Sequence, residues 1–371
     1  MTSLNTVSTL FGGTAPHGLK ELYGVSFGDG GAAPQSGNPI NLRAFNGKSP
    51  VLFAFTQHTF TSAGQSGRTG PTLTDCRNAY TVPWVTNTNF FNVSQGIQEW
   101  TVPRTATYRI GAKGAQGGGS IGGKGAYIQG DFSLTKGAIV KILVGQQPDI
   151  YLPIDSPGGG GTFVTVAPHN TNSAILVVAG GGGGSSNNNY GNGDGGHGTI
   201  DTSGGYSDGV STMTGGPVAS AGTPGSNGSA GSGESNITVQ SGAGFSGDTT
   251  NDVYWGGAAY DPNFAHVHKA SAYVNGGAGG VMNLWGPNSY SPDPYGRGEG
   301  GFGGGGGSGR TGNTNYGSMG GGGGYSGGAS GYNASHGGGG GSYNNGSNKV
   351  EVVGSSSESS YGNGYVIITA L

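Results

Sequence analysis

Three runs of five glycines, Gly301-Phe-Gly-Gly-Gly-Gly-Gly-Ser308, Gly320-Gly-Gly-Gly-Gly-Tyr325 and His336-Gly-Gly-Gly-Gly-Gly-Ser342, set the terms on which this chain can fold. Two further runs lie upstream, Gly158–Gly161 and Gly180–Gly184. A glycine run has no Cβ to bury and loses much backbone entropy when ordered. Any order must come from N–H and C=O groups pairing between neighbouring segments, because buried peptide groups are not left unpaired. Extended threefold helices suit this, since side-chain-free segments can lie together and bond laterally. At ~3.1 Å per residue a five-residue run spans about 15 Å. The competing reading is a flexible Gly/Ser linker. Recurrence of the runs beside strand-like segments favours the packed form.

Composition sets the outer limits. Of 371 residues 87 are Gly, 9% are charged and 32% are hydrophobic, below an ordinary globular domain. Low hydrophobicity signals disorder only when it comes with high net charge and few aromatics. Here the net charge is −3, with 18 Tyr, 13 Phe and 4 Trp. The expectation is a hydrogen-bond-rich protein with a modest core. A near-neutral balance gives no electrostatic footprint for nucleic acid. No apolar stretch approaches the ~20 residues needed to span a bilayer, so no membrane insertion is expected. The start, Met1 to Asn5, shows no signal-peptide pattern, which points to synthesis in a cytoplasm. A single cysteine, Cys76, forbids an intrachain disulfide.

Residues 1–50 read as a separate module. Gly18-Leu-Lys-Glu-Leu-Tyr-Gly24 and Asn41-Leu-Arg-Ala-Phe-Asn-Gly47 share one pattern, with Leu19 aligning with Leu42 and Lys20 with Arg43. Each is one amphipathic turn closed by glycine, too short to stand alone. Leu19, Leu22, Tyr23, Leu42 and Phe45 are therefore the candidate docking residues. An ordinary N-terminal arm packed on its own domain is the competing reading. The paired pattern, with Phe45-Asn-Gly-Lys-Ser49, resembles short N-terminal repeats of tailed-phage virion proteins. That resemblance implies attachment to other virion proteins.

From residue 51 the pattern turns to strands, and residues 51–371 read as one glycine-rich β-domain. Val51-Leu-Phe-Ala-Phe55 alternates, and Trp100–Val102, Thr107–Ile110, Gly125–Leu134, Ala138–Val144, Thr162–Ala167 and Ala174–Ala179 follow. Thr135-Lys-Gly137 reads as a hairpin turn. Asp252–Trp255, Val267–Val274, Lys349–Val353 and Tyr365–Thr369 are later candidates. No helix of three or more turns is expected after residue 50. The class is mainly β, a β-sandwich or jelly roll. Its main strands fall in 51–184 and its glycine-rich insertions in 185–360. Residues 361–371 form a closing strand that returns to pair with the early ones.

The ordered series Thr59-Phe-Thr-Ser-Ala-Gly64, Trp100-Thr-Val-Pro103, Tyr108-Arg-Ile-Gly-Ala-Lys-Gly-Ala-Gln-Gly-Gly118, Ile142-Leu-Val-Gly-Gln146 and Leu176-Val-Val-Ala-Gly180 carries a second resemblance. It is similar to the glycine-rich domain of the anaplastic lymphoma kinase ectodomain and of bacterial and phage surface proteins. The resemblance implies a tumour-necrosis-factor-like jelly roll coupled to packed polyglycine II helices. Where relatives carry Cys in "TCG", this chain has Ser62-Ala-Gly64, so Cys76 lacks its usual partner. The layout of the second half also resembles the tail-fibre tip adhesins of T-even phages. There a polyglycine core holds variable segments that contact the host.

Asp252 to Tyr295 is the longest part of the insertion free of glycine runs. Within it Tyr254, Trp255, Tyr260, Trp285 and Tyr290 are the candidate receptor-binding residues, since Tyr and Trp dominate binding hot spots. A local aromatic core is the alternative for most of them. His266 and His268 share one strand face, a ligand-like spacing that surface histidines also show, and no metal or cofactor is expected. No paired carboxylates or nucleophile elbow suggest catalysis. The expectation is a non-enzymatic virion adhesin for a host glycan or outer-membrane protein, present in multiple copies, a trimer among the forms open to it. The alternatives are a head-decoration, whisker or tail-assembly protein and an extracellular ligand-binding module.

Overall fold

The alternating apolar segments pair as two antiparallel sheets whose facing side chains make the main core. The computed structural model describes residues 53, 55–148, 156–188, 191–207, 223–233, 240–249, 268–281, 298–310, 317–332, 335–355 and 362–371. In chain order the strands are β1 (Gln57–Phe60), β2 (Phe91–Ser94), β3 (Ile97–Thr101), β4 (Ala106–Lys113), β5 (Tyr127–Leu134), β6 (Ile139–Leu143), β7 (Thr162–Val166) and β8 (Ile175–Ala179). Then come β9 (Ser186–Asn188), β10 (Gly191–Gly193), β11 (Gly309–Arg310), β12 (Gly317–Met319), β13 (Gly331–Tyr332), β14 (Tyr343–Asn344), β15 (Ser347–Val352) and β16 (Tyr365–Ala370). One sheet runs β1-β16-β4-β5-β15 and the other β14-β8-β7-β6-β3-β2.

The closing strand lies where its apolar content requires, between β1 and β4, with Phe60 opposite Val366 and Ile368 opposite Ile110. Between the sheets, Phe60, Phe91, Trp100, Tyr108, Ile110, Ile142 and Ile368 are almost fully buried. Each such aliphatic or phenyl side chain contributes about 1.5–3 kcal/mol. Elements absent from the sequence reading include a helix and the strands β1, β2 and β14. The helix α1 (Leu73–Ala79) is closed by a capping box in which Thr72 and Asp75 bond each other's backbone. Strands β14 and β15 lie in the glycine-rich tail, yet each forms the edge of a sheet.

Three local expectations are corrected. Thr135 to Gly137 is not a hairpin turn: β5 and β6 belong to different sheets, so these residues cross between layers. Phe53 and Phe55 pack against the core without joining a strand. Val267–Val274 is not a strand where it is described; it holds one bridge at His268 and enters a 3-10 turn at Tyr273–Asn275. Inside the core, burial pushes the Cys76 thiol up to about 12, with Asp75 adding to the rise. Cys76 is thus an inert packing group.

The run Gly320–Gly324 is laterally bonded with a period of three, whereas Gly303–Gly307 opens with a turn in which Gly303 and Gly304 take positive φ and Gly305 N donates to Gly301 O (2.9 Å). Gly320 and Gly323 donate to Ser156 O and Gly159 O (both 3.0 Å), while Gly321 and Gly324 donate to Gln240 O and Ala243 O (3.1 and 3.3 Å). Gly322 and Tyr325 donate to Gly338 O and Gly341 O (both 2.8 Å). Three more neighbours donate back, through Gly184 and Gly181 to Gly320 O and Gly323 O, Gly306 to Gly321 O, and Gly328 to Gly322 O. A run bonded on six sides has no room for Cβ. A methyl placed at any of residues 320–324 would lie under 3.0 Å from a neighbouring backbone oxygen.

A second core joins this lattice to the far face of the six-stranded sheet. Ile97, Leu143, Phe163 and Val178 from the sheet meet Phe245, Tyr273, Phe302 and Tyr325 from the insertion. Tyr273 stacks between Phe163 and Phe245, at centroid distances of 5.0 and 5.3 Å.

Candidate functional site

The five aromatic candidates Tyr254, Trp255, Tyr260, Trp285 and Tyr290 lie outside the described residues, but the ends of the segments that carry them are described. Thr249 and Ala270 flank segment 250–267 and bond each other: Thr249 N donates to Ala270 O (3.0 Å), and Ala270 N donates to Thr249 Oγ1 (2.9 Å). His268, which follows that segment, bridges to Val281, the residue preceding segment 282–297. Val281 bridges in turn to Glu299, just beyond that segment's other end. Both aromatic segments therefore start and finish at one cluster of backbone bridges. A third shares the root, because Gly298 bridges to Ser308 and β11 and β12 bracket 311–316.

Gln240 ties this root to the lattice. It is 2% exposed. Its Nε2 donates to His268 O (3.0 Å) and Val281 O (3.3 Å), and its Oε1 accepts from Gly307 N (3.0 Å). A side chain at residue 280 would strike that Oε1, so glycine there admits the carboxamide. Asp248 braces the other side: Oδ1 accepts from Ala272 N (2.7 Å) and Asn275 Nδ2 (2.9 Å), and Oδ2 from Lys269 Nζ (2.5 Å). Burial raises its carboxyl pKa, but bonds from Asn275, Lys269 and Ala272 outweigh burial and leave it below the usual carboxylate value. Arg68 Nε donates to Gly279 O (3.1 Å) and fastens the root to the sandwich.

Sequence reasoning missed Gln240 and the third segment. The available signal was Gln240-Ser-Gly-Ala-Gly-Phe245, where one long polar side chain opens a stretch otherwise made of small residues and a phenylalanine. His268 is exposed, whereas His266 and the docking candidates Leu19, Leu22, Tyr23, Leu42 and Phe45 lie outside the described residues. Tyr273, from the same aromatic stretch, is core. Among the described residues no group of three His, Cys, Asp or Glu is placed to hold a metal. A separate cavity of about 230 Å³ is lined by Lys113, Gln116, Lys124, Asn363 and Tyr365. It falls below the ~300 Å³ at which small-molecule pockets begin. Among the described residues no helix is long and apolar enough to cross a membrane.

No protein-family model matches the chain. It is similar to the leukocyte tyrosine kinase receptor of Mus musculus, 40% identical over 104 residues. That stretch covers 26% of this chain and 12% of the receptor, so the chain spans about an eighth of that relative's length.

Proposed function

We propose that this chain is a non-enzymatic virion protein of a tailed phage, an adhesin that presents aromatic segments to a host-surface receptor. The observation that carries the reading is the common root of segments 250–267 and 282–297 on a backbone-bonded glycine lattice. Recognition needs contact groups held by rigid supports, and loops on a stiff scaffold supply that. In this reading the runs are polyglycine II helices acting as struts on a jelly-roll body. Tyr254, Trp255, Tyr260, Trp285 and Tyr290 supply flat faces with polar edges, suited to a glycan or an outer-membrane loop. Residues 1–50 dock on another virion protein, and several copies act together. Similarity to part of a receptor tyrosine kinase favours a second reading, an extracellular ligand-binding module.

The test is adsorption. Purified full-length chain is expected to bind host cells and block phage attachment. Trp255→Ala with Trp285→Ala is expected to weaken binding at least about tenfold while leaving the melting temperature unchanged. Undiminished binding by that folded double variant rejects the assignment. No binding to host cells, with particle assembly lost on deleting residues 1–50, favours a purely structural virion role.

A further inference from the structure

Strand β15 is the outer strand of the five-stranded sheet, and every one of its residues is exposed. Val350 and Val352 are each 44% exposed and the following Val353 is 45% exposed. One edge of its backbone pairs with β5, and the other faces no strand among the described residues. Natural sheet edges are guarded by bulges and lysines. Both devices are present here, as a register break between Ser347 and Val350 and as Lys349. The guard is partial, because Val350, Glu351 and Val352 run in regular register against Gln129, Ile128 and Tyr127. Lys349 and Glu351 share one strand face and converge on one residue. Lys349 Nζ donates to Asn344 O (2.8 Å), and Asn344 Nδ2 donates to Glu351 Oε1 (2.9 Å).

We propose that β15 pairs antiparallel with β15 of a second copy of this chain, about a two-fold axis at Val350. In that register Lys349 of each copy stands opposite Glu351 of the other, twice over, while Val350 meets its own copy on the axis and Val352 faces Asn348. Moving the axis to residue 349 sets lysine against lysine, and moving it to 351 sets glutamate against glutamate. A half-step shift leaves each charge facing a valine or an asparagine, and in-register parallel pairing stacks like charges along the strand. The charge pattern thus selects one arrangement, and the bulge blocks extension beyond it. Opposite charges directly across a strand pair are favourable and like charges unfavourable. A contact made by one short strand buries less than the ~1,200 Å² of a stable interface. The dimer is therefore weak alone and forms where copies are concentrated, independently of any receptor contact.

Sedimentation of the full-length chain across a concentration series tests this. Wild type is expected to dimerise as concentration rises, and Glu351→Lys to weaken the dimer about tenfold. Exchanging the charges, with Lys349→Glu and Glu351→Lys together, is expected to restore it. A chain that stays monomeric throughout, or an oligomer indifferent to Glu351→Lys, overturns the proposal. Slow exchange in a monomer of the β15 amides that point away from β5 also overturns it, since another occupant then covers the edge.

Discussion

Replacing Gly322 by alanine tests whether close backbone packing holds the glycine region. Gly322 donates to Gly338 O at 2.8 Å and accepts from Gly328 N at 2.9 Å. A Cβ there would collide with Gly181 O, itself the acceptor for Gly340 N. The obstacle is peptide backbone bonded on several sides, so nothing nearby can swing away. Overpacking of this kind costs about 1–3 kcal/mol. Stretching the two bonds of residue 322 adds about 1 kcal/mol each. Reduced freedom of the unfolded chain returns about 0.4–1 kcal/mol. The expected net loss is about 2–5 kcal/mol, large against the ~5–15 kcal/mol of a typical domain.

The matched control is Gly205→Ala. Its added Cβ would meet Gly339 N at 3.2 Å and Gly339 O at 3.4 Å, a shift of a few tenths of an ångström from comfort. The unfolded-state gain is the same, so this variant should stay within about 1 kcal/mol of the parent. Urea unfolding separates the two: the midpoint for Gly322→Ala falls at unchanged slope, and that for Gly205→Ala barely moves. Amide exchange should accelerate at residues 320–324 in the first variant alone. Equal destabilisation by both, or stabilisation by Gly322→Ala, refutes close packing as the reason these positions are glycine.

Two further perturbations address the loop root and the sandwich. Gln240→Met keeps the side-chain length but leaves the buried Gly307 N–H without its acceptor. It should cost about 1–3 kcal/mol, with faster exchange at residues 268, 281 and 307 and none in β4 or β5. Uniformly faster exchange would show that Gln240 supports the whole domain rather than the root. His58 packs edge-on against Phe60, Tyr80 and Trp84, and its buried Nε2 has no hydrogen-bond partner among the described residues. Burial lowers its imidazole from 6.5 to about 4. The unfolded chain therefore binds this proton first as pH falls, and stability declines between pH 6.5 and about 4. His58→Phe should reduce the fall of melting temperature with pH from 6.5 to 4.5, leaving the part owed to His169, whose imidazole burial also lowers, and acting above the range of the low-titrating carboxyls Asp131 and Asp248. An unchanged slope rules out His58 as its source.

How much of this could be read beforehand depended on where the determining contacts lie in sequence. Strands β4, β6, β7, β8 and β16 announce themselves because their apolar side chains demand burial: in Ile175-Leu-Val-Val-Ala179 every residue is buried, whereas in β16 Val366 and Ile368 are buried between less covered neighbours. The closing role of Tyr365–Ala370 followed from the same demand. β15 was legible as a strand but not as a sheet edge, since Ser347-Asn-Lys-Val-Glu-Val352 is polar and partner choice is not local. The turn at Thr135–Gly137 misled because a glycine at positive φ serves a hairpin and a layer crossing alike. α1 carried a readable Thr72-x-x-Asp75 cap, but seven residues hold helix only against a surface that sequence does not display. The loop root stayed hidden for a different reason. Its bonds from Gln240 reach 28, 41 and 67 residues along the chain and end on backbone atoms, which no side-chain pattern encodes.

The glycine runs and the aromatics belong to one structural rule. Phe302 precedes Gly303–Gly307, Tyr325 follows Gly320–Gly324, Phe245 follows Gly242-Ala-Gly244, and Tyr343 stands two residues beyond Gly337–Gly341. All four lie in or against the second core, on the far face of the six-stranded sheet. A run offers peptide groups for lateral bonding but nothing that fixes it along its axis. Sliding by one residue would exchange every donor for the next in the three-residue cycle. A bulky ring at the end of each of these four stretches, buried in one socket, removes that freedom and sets the register. Peptide groups thus brace the runs sideways while rings hold them lengthwise, and the segments carrying Tyr254 and Trp285 inherit a fixed origin. On this logic Tyr325, next to Gly324, matters to the lattice through its position along the run as much as through the apolar area it buries.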